Sequence, residues 1–570
     1  MNNRYGIDTE EADNELYEAA KEGFEPWSTT KLLERYEYLR QVVLKNIPEL
    51  WNGLEFAISV KTILNIKGNT LPFPAILLGP SGEAKTVIIR MFKPYKHTFY
   101  TDNFSPKSFV SHNSSVTKEK LRDIDLLPKL KDKFFLISEL APIFAAKDDD
   151  LLQMLGILTR VADGHGYESD SGTQGHRGYD ERINFVWLGA AVDIPLKVYR
   201  ILSTLGPKLY FFRIFSNDKD EDYYYNMKNE DFEEKEQEIR TALLEYLIYF
   251  DMNPDATFDY DGLMEDNNDA LPKIELEPEK DEELAYRIII RLAKLLAHLR
   301  ATVPTWETRD TQGSEYGYGL AKVENPKRAI KQLSNLARGH ALSKGVKYIT
   351  IDDVPLVINT ALSTASTERV RIFEILVENR GRLTTSQICE FLNTSKPTAL
   401  RTMTELKATG LVEMENKRTD DGYNITYMIR LKEEFDWFLS DEFKKLKEGK
   451  KHEGEGTHEE KTRKEKYPLS AIVVNANDTG DYNGNGSGHD SDGIPIGHFS
   501  LHPPENVIED SIIGEQDEWN ISIPCGFCKH DGYDINFGSR EMRQKHQVHK
   551  HKGWGDSEAD LEKYKSQKKS

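Results

Sequence analysis

Apolar residues recur along the chain with two patterns, one typical of helices and one of short buried strands. Residues 31–67 begin with helical spacing and continue into a dense apolar run at 54–66, which is more typical of a strand. Shorter apolar runs at 75–78, 134–137 and 183–191 are bounded by charged residues or glycine and predict buried strands. Because helical stretches separate these runs, the pattern favours an α/β fold with a parallel sheet.

Beyond residue 216, apolar residues again recur at helical spacing, and a pattern typical of a β-hairpin follows at 411–431. An acidic stretch at 217–236, which we interpret as a solvated connection, precedes helical periodicity at 282–301 and 325–344. Further helices are predicted at 368–378, 385–392 and 395–410, and two strands with a polar turn between them at 411–415 and 423–431.

Composition and charge restrict the class of protein. With 38% hydrophobic residues in 570, large cores are possible, and a net charge of −20 excludes a simple basic coat on nucleic acid. Three cysteines exclude a disulfide-built secreted protein and fit a reducing compartment. The amino terminus is polar and acidic, unlike a secretory signal, and no apolar run reaches the ~20 residues that cross a bilayer. We therefore predict a cytoplasmic protein with no membrane partner.

A glycine-containing loop follows the apolar run at 75–78 and matches the pattern of a phosphate-binding loop, except that Ala84 stands where glycine is usual. In such a loop, backbone N–H groups surround a phosphate, Lys85 reaches the terminal phosphates of ATP, and the Thr86 hydroxyl contacts Mg²⁺. An ordinary glycine-rich turn is the alternative. The candidate ATP-binding residues are Gly79, Pro80, Ser81, Gly82, Glu83, Ala84, Lys85 and Thr86.

Candidate catalytic residues follow two later strands. The run at 134–137 ends in Ser138 and Glu139, where ATPases usually carry two consecutive acids, so Glu139 is the candidate for Mg²⁺ or for the attacking water. Nucleotide binding is therefore better supported than fast hydrolysis. The segment 205–213 has the outline of one that, in ATPases, carries an arginine acting on the nucleotide of a neighbouring subunit. Arg213 or Lys208 could fill that role. The alternative is that Arg213 is a structural arginine at the end of a strand.

These motifs together resemble the AAA+ ATPases over residues 54–362, and the pattern at 324–354 resembles the lid of MCM helicases. The resemblance implies ATP and Mg²⁺ as cofactors and a homo-oligomeric ring, because an arginine of one subunit completes the next subunit's site. It also implies that Arg328, at the start of a lid helix, reaches the γ-phosphate. A surface ion pair with Glu324 is the alternative for Arg328.

The predicted helices and strands at 368–431 resemble a winged helix-turn-helix domain, which implies DNA as a partner. Its third helix would enter the major groove, and Thr402 on that helix has a side chain suited to such contacts. Protein recognition is the alternative for such a domain. The candidate DNA-binding residues are Lys396, Thr398, Arg401 and Lys407 on the helix, and Lys417 and Arg418 on the wing.

The carboxy-terminal region carries two of the three cysteines in a C-x-x-C pair, with histidines downstream. Cys525, Cys528, His546 and His551 suit a tetrahedral Zn²⁺ site, with His549 as the alternative fourth ligand. The segment resembles a ββα zinc finger of the CCHH type, although seventeen residues separate Cys528 from His546, against about twelve in the usual finger. From residue 529 to 570 the net charge is +3, which favours nucleic acid.

Two functions fit these motifs. The first is a DNA-associated AAA+ ATPase of the replication helicase, initiator or loader type, and the second is a non-enzymatic ATP-binding regulator with little turnover. The predicted segments are an acidic amino-terminal segment (1–30), a nucleotide-binding core (31–215), an acidic connection (216–280), a helical lid (281–365), a winged helix (366–445), a disordered linker (446–515), a zinc finger (516–556) and a basic tail (557–570).

Overall fold

The structure is a computed structural model in which the chain divides into two units, residues 1–473 and 474–570. Among the residues it describes, no helix combines the length and the apolar character needed to span a bilayer. The described residues are 24–80, 82, 85–111, 118–171, 175–206, 208–214, 232–257, 270–310, 313–418, 425–449, 523–524 and 536–537.

A five-stranded parallel sheet lies at the centre of the first unit, in the order β2-β3-β6-β1-β7, and β4 and β5 form a separate antiparallel hairpin. The α/β prediction with a parallel sheet is confirmed. In register, Leu78 at the end of β1 lies opposite both Ala191 and Arg213. The strands are β1 (Phe73–Leu78), β2 (Thr98–Thr101), β3 (Phe134–Ile137), β4 (Tyr167–Ser171), β5 (Gly175–Tyr179), β6 (Val186–Ala191) and β7 (Tyr210–Arg213).

Helices connect and cover these strands, and the apolar residues of both layers form the core. The helices are α1 (Thr29–Asn46), α2 (Trp51–Ile63), α3 (Lys85–Met91), α4 (Lys118–Ile124), α5 (Leu126–Lys129), α6 (Ala141–Phe144), α7 (Asp148–Val161), α8 (Leu196–Leu205) and α9 (Phe232–Asp251).

Helix α2 replaces the strand that we expected at 54–66. Almost all of its residues are buried, so its sequence lacks the polar stripe that marks an amphipathic helix. It packs on the sheet, where Phe56 stacks on Phe212 with ring centroids 4.3 Å apart. On its other side a Cβ at Gly339 would lie 2.3 Å from the Ser59 carbonyl oxygen, so glycine permits the close approach of a lid helix.

The acidic connection at 216–280 contains more structure than a solvated link. Helix α9 begins within it, and its apolar side chains, including Leu243 and Leu247, are buried in the core. Tyr249 of this helix donates a hydrogen bond to the Pro26 carbonyl oxygen, 3.0 Å away. The acidic residues at the start of α9 masked this periodicity in the sequence.

The helices predicted at 282–301 and 325–344 are confirmed, and an unpredicted antiparallel hairpin lies between them in the chain. Helix α12 contacts β7, where Ser363 and Thr364 accept hydrogen bonds from the backbone N–H groups of Arg213 and Phe211. The elements are α10 (Glu283–Leu299), β8 (Thr305–Asp310), β9 (Gly313–Tyr318), α11 (Lys327–Ser343) and α12 (Val354–Ser363).

Four helices and a three-stranded antiparallel sheet of order β10-β12-β11 follow α12 among the described residues. Arg369 fixes this module to the lid by donating hydrogen bonds to the carbonyl oxygens of Leu299 and Ala301. The elements are α13 (Thr367–Glu378), β10 (Arg382–Thr384), α14 (Thr385–Leu392), α15 (Lys396–Ala408), β11 (Val412–Arg418), β12 (Ile425–Leu431) and α16 (Asp441–Lys447). In the second unit, the described residues form a short antiparallel pair, β13 (Ile523–Pro524) and β14 (Asn536–Phe537).

Candidate functional site

Polar residues, among them the predicted site residues Lys85, Glu139 and Arg213, stand at or beyond the ends of four strands of the central sheet. Lys85 lies just beyond β1, Glu139 beyond β3 and Asp193 beyond β6, and Arg213 is the last residue of β7. Because the strands are parallel, their carboxyl ends lie at one edge of the sheet, where α/β proteins bind ligands. The structure therefore brings these side chains to one edge.

The loop after β1 turns the Lys85 side chain inward. Lys85 is the first residue of α3 and is only 5% exposed, and its Nζ donates hydrogen bonds to the carbonyl oxygens of Gly79 and Pro80, at 2.7 and 2.5 Å. Gly82 has a φ of +91°, a conformation that favours glycine. Ser81, Glu83 and Ala84 lie outside the described residues, so their part in the loop stays a prediction. The described residues nevertheless place an ammonium group within the loop.

Glu139 and Ser138 stand at the end of β3 with different partners. Glu139 accepts a hydrogen bond from the Ala141 backbone N–H, 2.8 Å away, at the start of α6. Ser138 is buried, and its Oγ lies 2.7 Å from the Tyr100 hydroxyl oxygen. The Tyr100 hydroxyl donates its one proton to Asp102 Oδ1, 2.5 Å away, so it accepts the hydrogen bond from Ser138. Sequence analysis missed Tyr100 and Asp102, because β2 is only four residues long and none of its side chains is fully buried.

Arg213 lies beside the start of the loop that follows β1 in its own chain. Its Nη2 donates hydrogen bonds to Asp193 Oδ1 at 3.3 Å and to Thr367 Oγ1 at 2.5 Å, and its side chain is 17% exposed. Since Leu78 is its register partner, Arg213 is next to the point where the loop begins. Within the chain, the Arg213 guanidinium therefore links the end of β7 to Asp193 and to Thr367.

Arg328 and Lys208 come together at the opposite edge of the sheet. Arg328 Nη1 and Lys208 Nζ donate hydrogen bonds to the two carboxylate oxygens of Asp163, at 2.7 and 2.6 Å. Lys208 lies two residues before the start of β7. Gln332 is one helical turn beyond Arg328, and its side chain donates a hydrogen bond to the carbonyl oxygen of Pro72, just before the start of β1. Both cations therefore lie near the amino-terminal ends of these strands. Six residues of β1, about 20 Å of strand, separate this edge from the loop that contains Lys85. The structure therefore does not bring Arg328 to Lys85, and its partner is Asp163 instead of Glu324.

The charges around Asp163 are unbalanced. Arg160 Nη1 is 3.7 Å from Asp163 Oδ2, so three cations surround one carboxylate. Burial raises the pKa of Asp163, but the hydrogen bond from Lys208 and the charges of Lys208 and Arg328 outweigh it, and the pKa lies below its usual value. Burial lowers the pKa of Lys208 despite its bond to Asp163. Lys208 and Asp163 line an open cavity of about 450 Å³, so the excess positive charge faces a space that an anion can enter.

The module after the lid presents part of the predicted DNA-binding set to solvent. Lys396, Thr398 and Lys407 are exposed on α15, whereas Arg401 is half-buried with its Nε 3.4 Å from Glu405 Oε1. Thr402 is buried, so the expectation that it contacts DNA is wrong.

The buried Thr402 hydroxyl donates a hydrogen bond to Glu368 on α13. The two wing residues, Lys417 and Arg418, lie in β11 opposite Thr426 and Ile425 of β12. The wing strand is therefore longer than predicted.

All four predicted zinc ligands, Cys525, Cys528, His546 and His551, lie outside the described residues, as does His549. The strands β13 and β14 stand on either side of the C-x-x-C pair in the sequence, and Ile523 pairs with Phe537. In the part of the chain that the structure describes, no group of three or more His, Cys, Asp or Glu side chains is arranged to hold a metal. The zinc site stays a prediction.

Comparison with protein-family models gives no match for this chain, and comparison with curated proteins gives none either. Function must therefore be argued from the two edges of the sheet and from the exposed face of α15.

Proposed function

We propose that the chain is a DNA-associated AAA+ ATPase that binds ATP with Mg²⁺ at residues 79–86 and acts as a homo-oligomeric ring. The observation that carries this proposal is the Lys85 ammonium, which is turned into the loop at the carboxyl end of β1 and held by Gly79 and Pro80. A buried lysine bonded to two loop carbonyls is an ammonium placed where phosphate oxygens can replace those carbonyls as acceptors.

The position of β1 in the sheet supports the same site. β1 lies between β6 and β7, which come much later in the chain, so the strand order changes direction around it. Ligands of open α/β sheets bind in the crevice beyond the carboxyl ends at such a point. Helix α3 begins at Lys85, and its amino-terminal N–H groups add a favourable field for phosphate.

The residues present fit a nucleotide with Mg²⁺, since a lysine, a hydroxyl and a carboxylate share this edge. Bound Mg²⁺ supplies charge neutralisation for the β- and γ-phosphate oxygens. Lys85 binds the phosphates, Thr86 offers its hydroxyl to the ion, and Glu139 orients the attacking water and accepts its proton. Glu139 is held by the Ala141 N–H, which fixes its carboxylate at the end of β3.

Lys208 and Arg328 support assembly into a ring. They lie about one strand length from their own phosphate loop, and three cations around Asp163 leave a surplus of positive charge at a cavity. We propose that these cations act on the ATP of a neighbouring subunit, with Lys208 in the role that the sequence left open between Arg213 and Lys208. A head-to-tail contact of this kind generates a closed ring when the rotation closes.

The exposed face of α15 supports DNA as the partner of the winged helix-turn-helix module. Its amino-terminal turn carries Lys396 and Thr398, and the other end is fixed to the lid, where His298 Nδ1 lies 2.7 Å from the Thr409 carbonyl oxygen. Residues that contact phosphates and base edges in such modules lie at the start of this helix.

Replacing Lys396 and Lys407 together with alanine is expected to weaken DNA binding and to lower the salt dependence of the affinity. Each lost phosphate contact removes roughly one counterion from the slope of log K against log salt concentration, so the slope should fall by about 2. Fluorescence anisotropy with duplex DNA at several salt concentrations measures this slope. The matched control is Lys107→Ala with Lys445→Ala, two exposed lysines elsewhere. An unchanged slope would assign α15 to protein recognition.

A non-enzymatic regulator is the second candidate, and Ser138 favours it because the first of the two usual acids is absent. Steady-state phosphate release with and without DNA separates the two candidates. Turnover that DNA stimulates and Glu139→Gln abolishes supports the ATPase. Tight ATP binding with no turnover under either condition supports the regulator.

The carboxy-terminal segment is proposed to bind one Zn²⁺ per chain through Cys525, Cys528, His546 and His551. In the purified full-length protein, Cys528→Ser should remove the metal, because a thiolate is lost from a tetrahedral site. Cys389→Ser, which alters the half-buried cysteine of α14, is the control and should retain it. Atomic absorption measures the zinc content. If His549→Ala lost the zinc and His551→Ala kept it, the fourth ligand would be His549 instead of His551.

A further inference from the structure

Tyr100, Asp102 and Ser138 form a hydrogen-bonded polar group at the carboxyl ends of β2 and β3, at the same edge of the sheet as the proposed ATP site. The Tyr100 hydroxyl lies between the other two, 2.7 Å from Ser138 Oγ and 2.5 Å from Asp102 Oδ1. The Ser138 backbone N–H donates to the Thr101 carbonyl oxygen at 3.2 Å, so the ends of β2 and β3 stay side by side up to this point. One hydroxyl group therefore separates the Asp102 carboxylate from Ser138.

Asp102 is suited to a cation because it is both exposed and negatively charged. The hydrogen bond from Tyr100 lowers the pKa of Asp102, and Ser138, Arg90 and Lys93 act in the same direction. Its side chain is exposed, so solvent and ions reach the carboxylate. Tyr100 and Ser138 thus hold an accessible carboxylate at the edge of the sheet where Lys85 and Glu139 lie.

Mg²⁺ in nucleotide sites keeps several of its waters and is held by one or two carboxylates together with substrate phosphates. A carboxylate can therefore act on the ion across a water molecule, without occupying the position directly after β3. Ser138 offers only a hydroxyl at that position, and Asp102 is the carboxylate that the neighbouring strand places next to it.

We propose that Asp102, positioned by Tyr100 and Ser138, supplies from the end of β2 the carboxylate that holds the Mg²⁺ of bound MgATP. This inference rests on the proposed ATP site. It divides the usual pair of acids between two strands, so that Asp102 acts on the metal ion and leaves Glu139 for the water.

The test measures the affinity of the full-length protein for a fluorescent ATP analogue, with Mg²⁺ and with EDTA. The ratio of the two dissociation constants gives the contribution of the ion without any turnover. Asp102→Asn should reduce this ratio by about 10-fold, the usual scale for losing an outer-shell partner of a metal, and leave the affinity in EDTA unchanged. Asp180→Asn, an exposed aspartate at the end of β5, is the matched control and should keep the wild-type ratio.

The second variant adds Ser138→Asp to Asp102→Asn and should restore the Mg²⁺ dependence, because it returns an acid to the end of β3. A purely structural role for Asp102 would not be rescued in this way. A wild-type ratio in Asp102→Asn, or no rescue in the double variant, would overturn the proposal for Asp102. Failure of the ATP site is a different result, since the wild-type protein would then bind no analogue with or without Mg²⁺.

Discussion

Lys85→Ala is expected to lower the affinity for ATP by about 10- to 100-fold. The variant removes a charged donor, and hydrogen bonds to charged groups contribute roughly 1.5–3 kcal/mol each. Titration with a fluorescent ATP analogue in the presence of Mg²⁺ measures the loss. The melting temperature should change little, because the hydrogen bonds from the Lys85 ammonium to the Gly79 and Pro80 carbonyl oxygens lie within the loop.

The control for this variant is Lys107→Ala, which removes an exposed lysine from the same part of the chain. It should bind the analogue like the wild-type protein. If Lys85→Ala also kept the wild-type affinity, the loop after β1 would be an ordinary turn, and both functional candidates would lose their basis.

Mixing two inactive variants is expected to recover ATP hydrolysis. Lys85→Ala removes the lysine that we propose to bind phosphate, whereas Arg328→Ala removes a cation at the opposite edge of the sheet, about 20 Å of strand away. If Arg328 acts on a neighbour, random mixing in equal amounts gives about a quarter of interfaces with both groups intact, because each contact joins two different surfaces. Phosphate release by the mixture should therefore approach about a quarter of the wild-type rate, while each variant alone stays near zero.

Lys331→Ala, an exposed lysine on the same helix, is the control and should be active without mixing. If the mixture stayed as inactive as its components, Arg328 would not act across subunits. Melting temperatures of both variants separate this outcome from a loss of folding, since Arg328 also bonds Asp163 and the Ala162 carbonyl oxygen.

Local patterns in the sequence correctly predicted two classes of element: helices with one buried and one exposed face, and strands that are short, fully buried apolar runs. Strands β1, β3 and β6 and helices α10, α11 and α15 fall in these classes. Helix α2 was predicted wrongly because a continuous apolar run does not distinguish a buried helix from a buried strand. Eleven of its thirteen residues are buried, and the helix lies between the sheet and α11.

Contacts between residues that are far apart in the chain could not be predicted from the sequence. Asp163 meets Lys208 across 45 positions and Arg328 across 165, and no local pattern links these residues. The Tyr100 and Ser138 hydroxyls are likewise 38 positions apart and meet only because β2 pairs with β3. The sequence therefore indicated the chemistry of single residues, whereas the pairing of strands and the packing of the lid decide which of them act together.

The hydrogen bond between Arg213 and Thr367 joins the last residue of β7 to the first residue of α13. Arg213 is next to the loop that we propose to bind ATP, and Thr367 begins the module that carries α15. If nucleotide binding strengthens or weakens this bond, thermodynamic reciprocity requires that DNA on the module change the affinity for ATP by the same factor. The two ligands would then regulate each other through a single guanidinium group, and Thr367→Val would uncouple them without touching either binding surface.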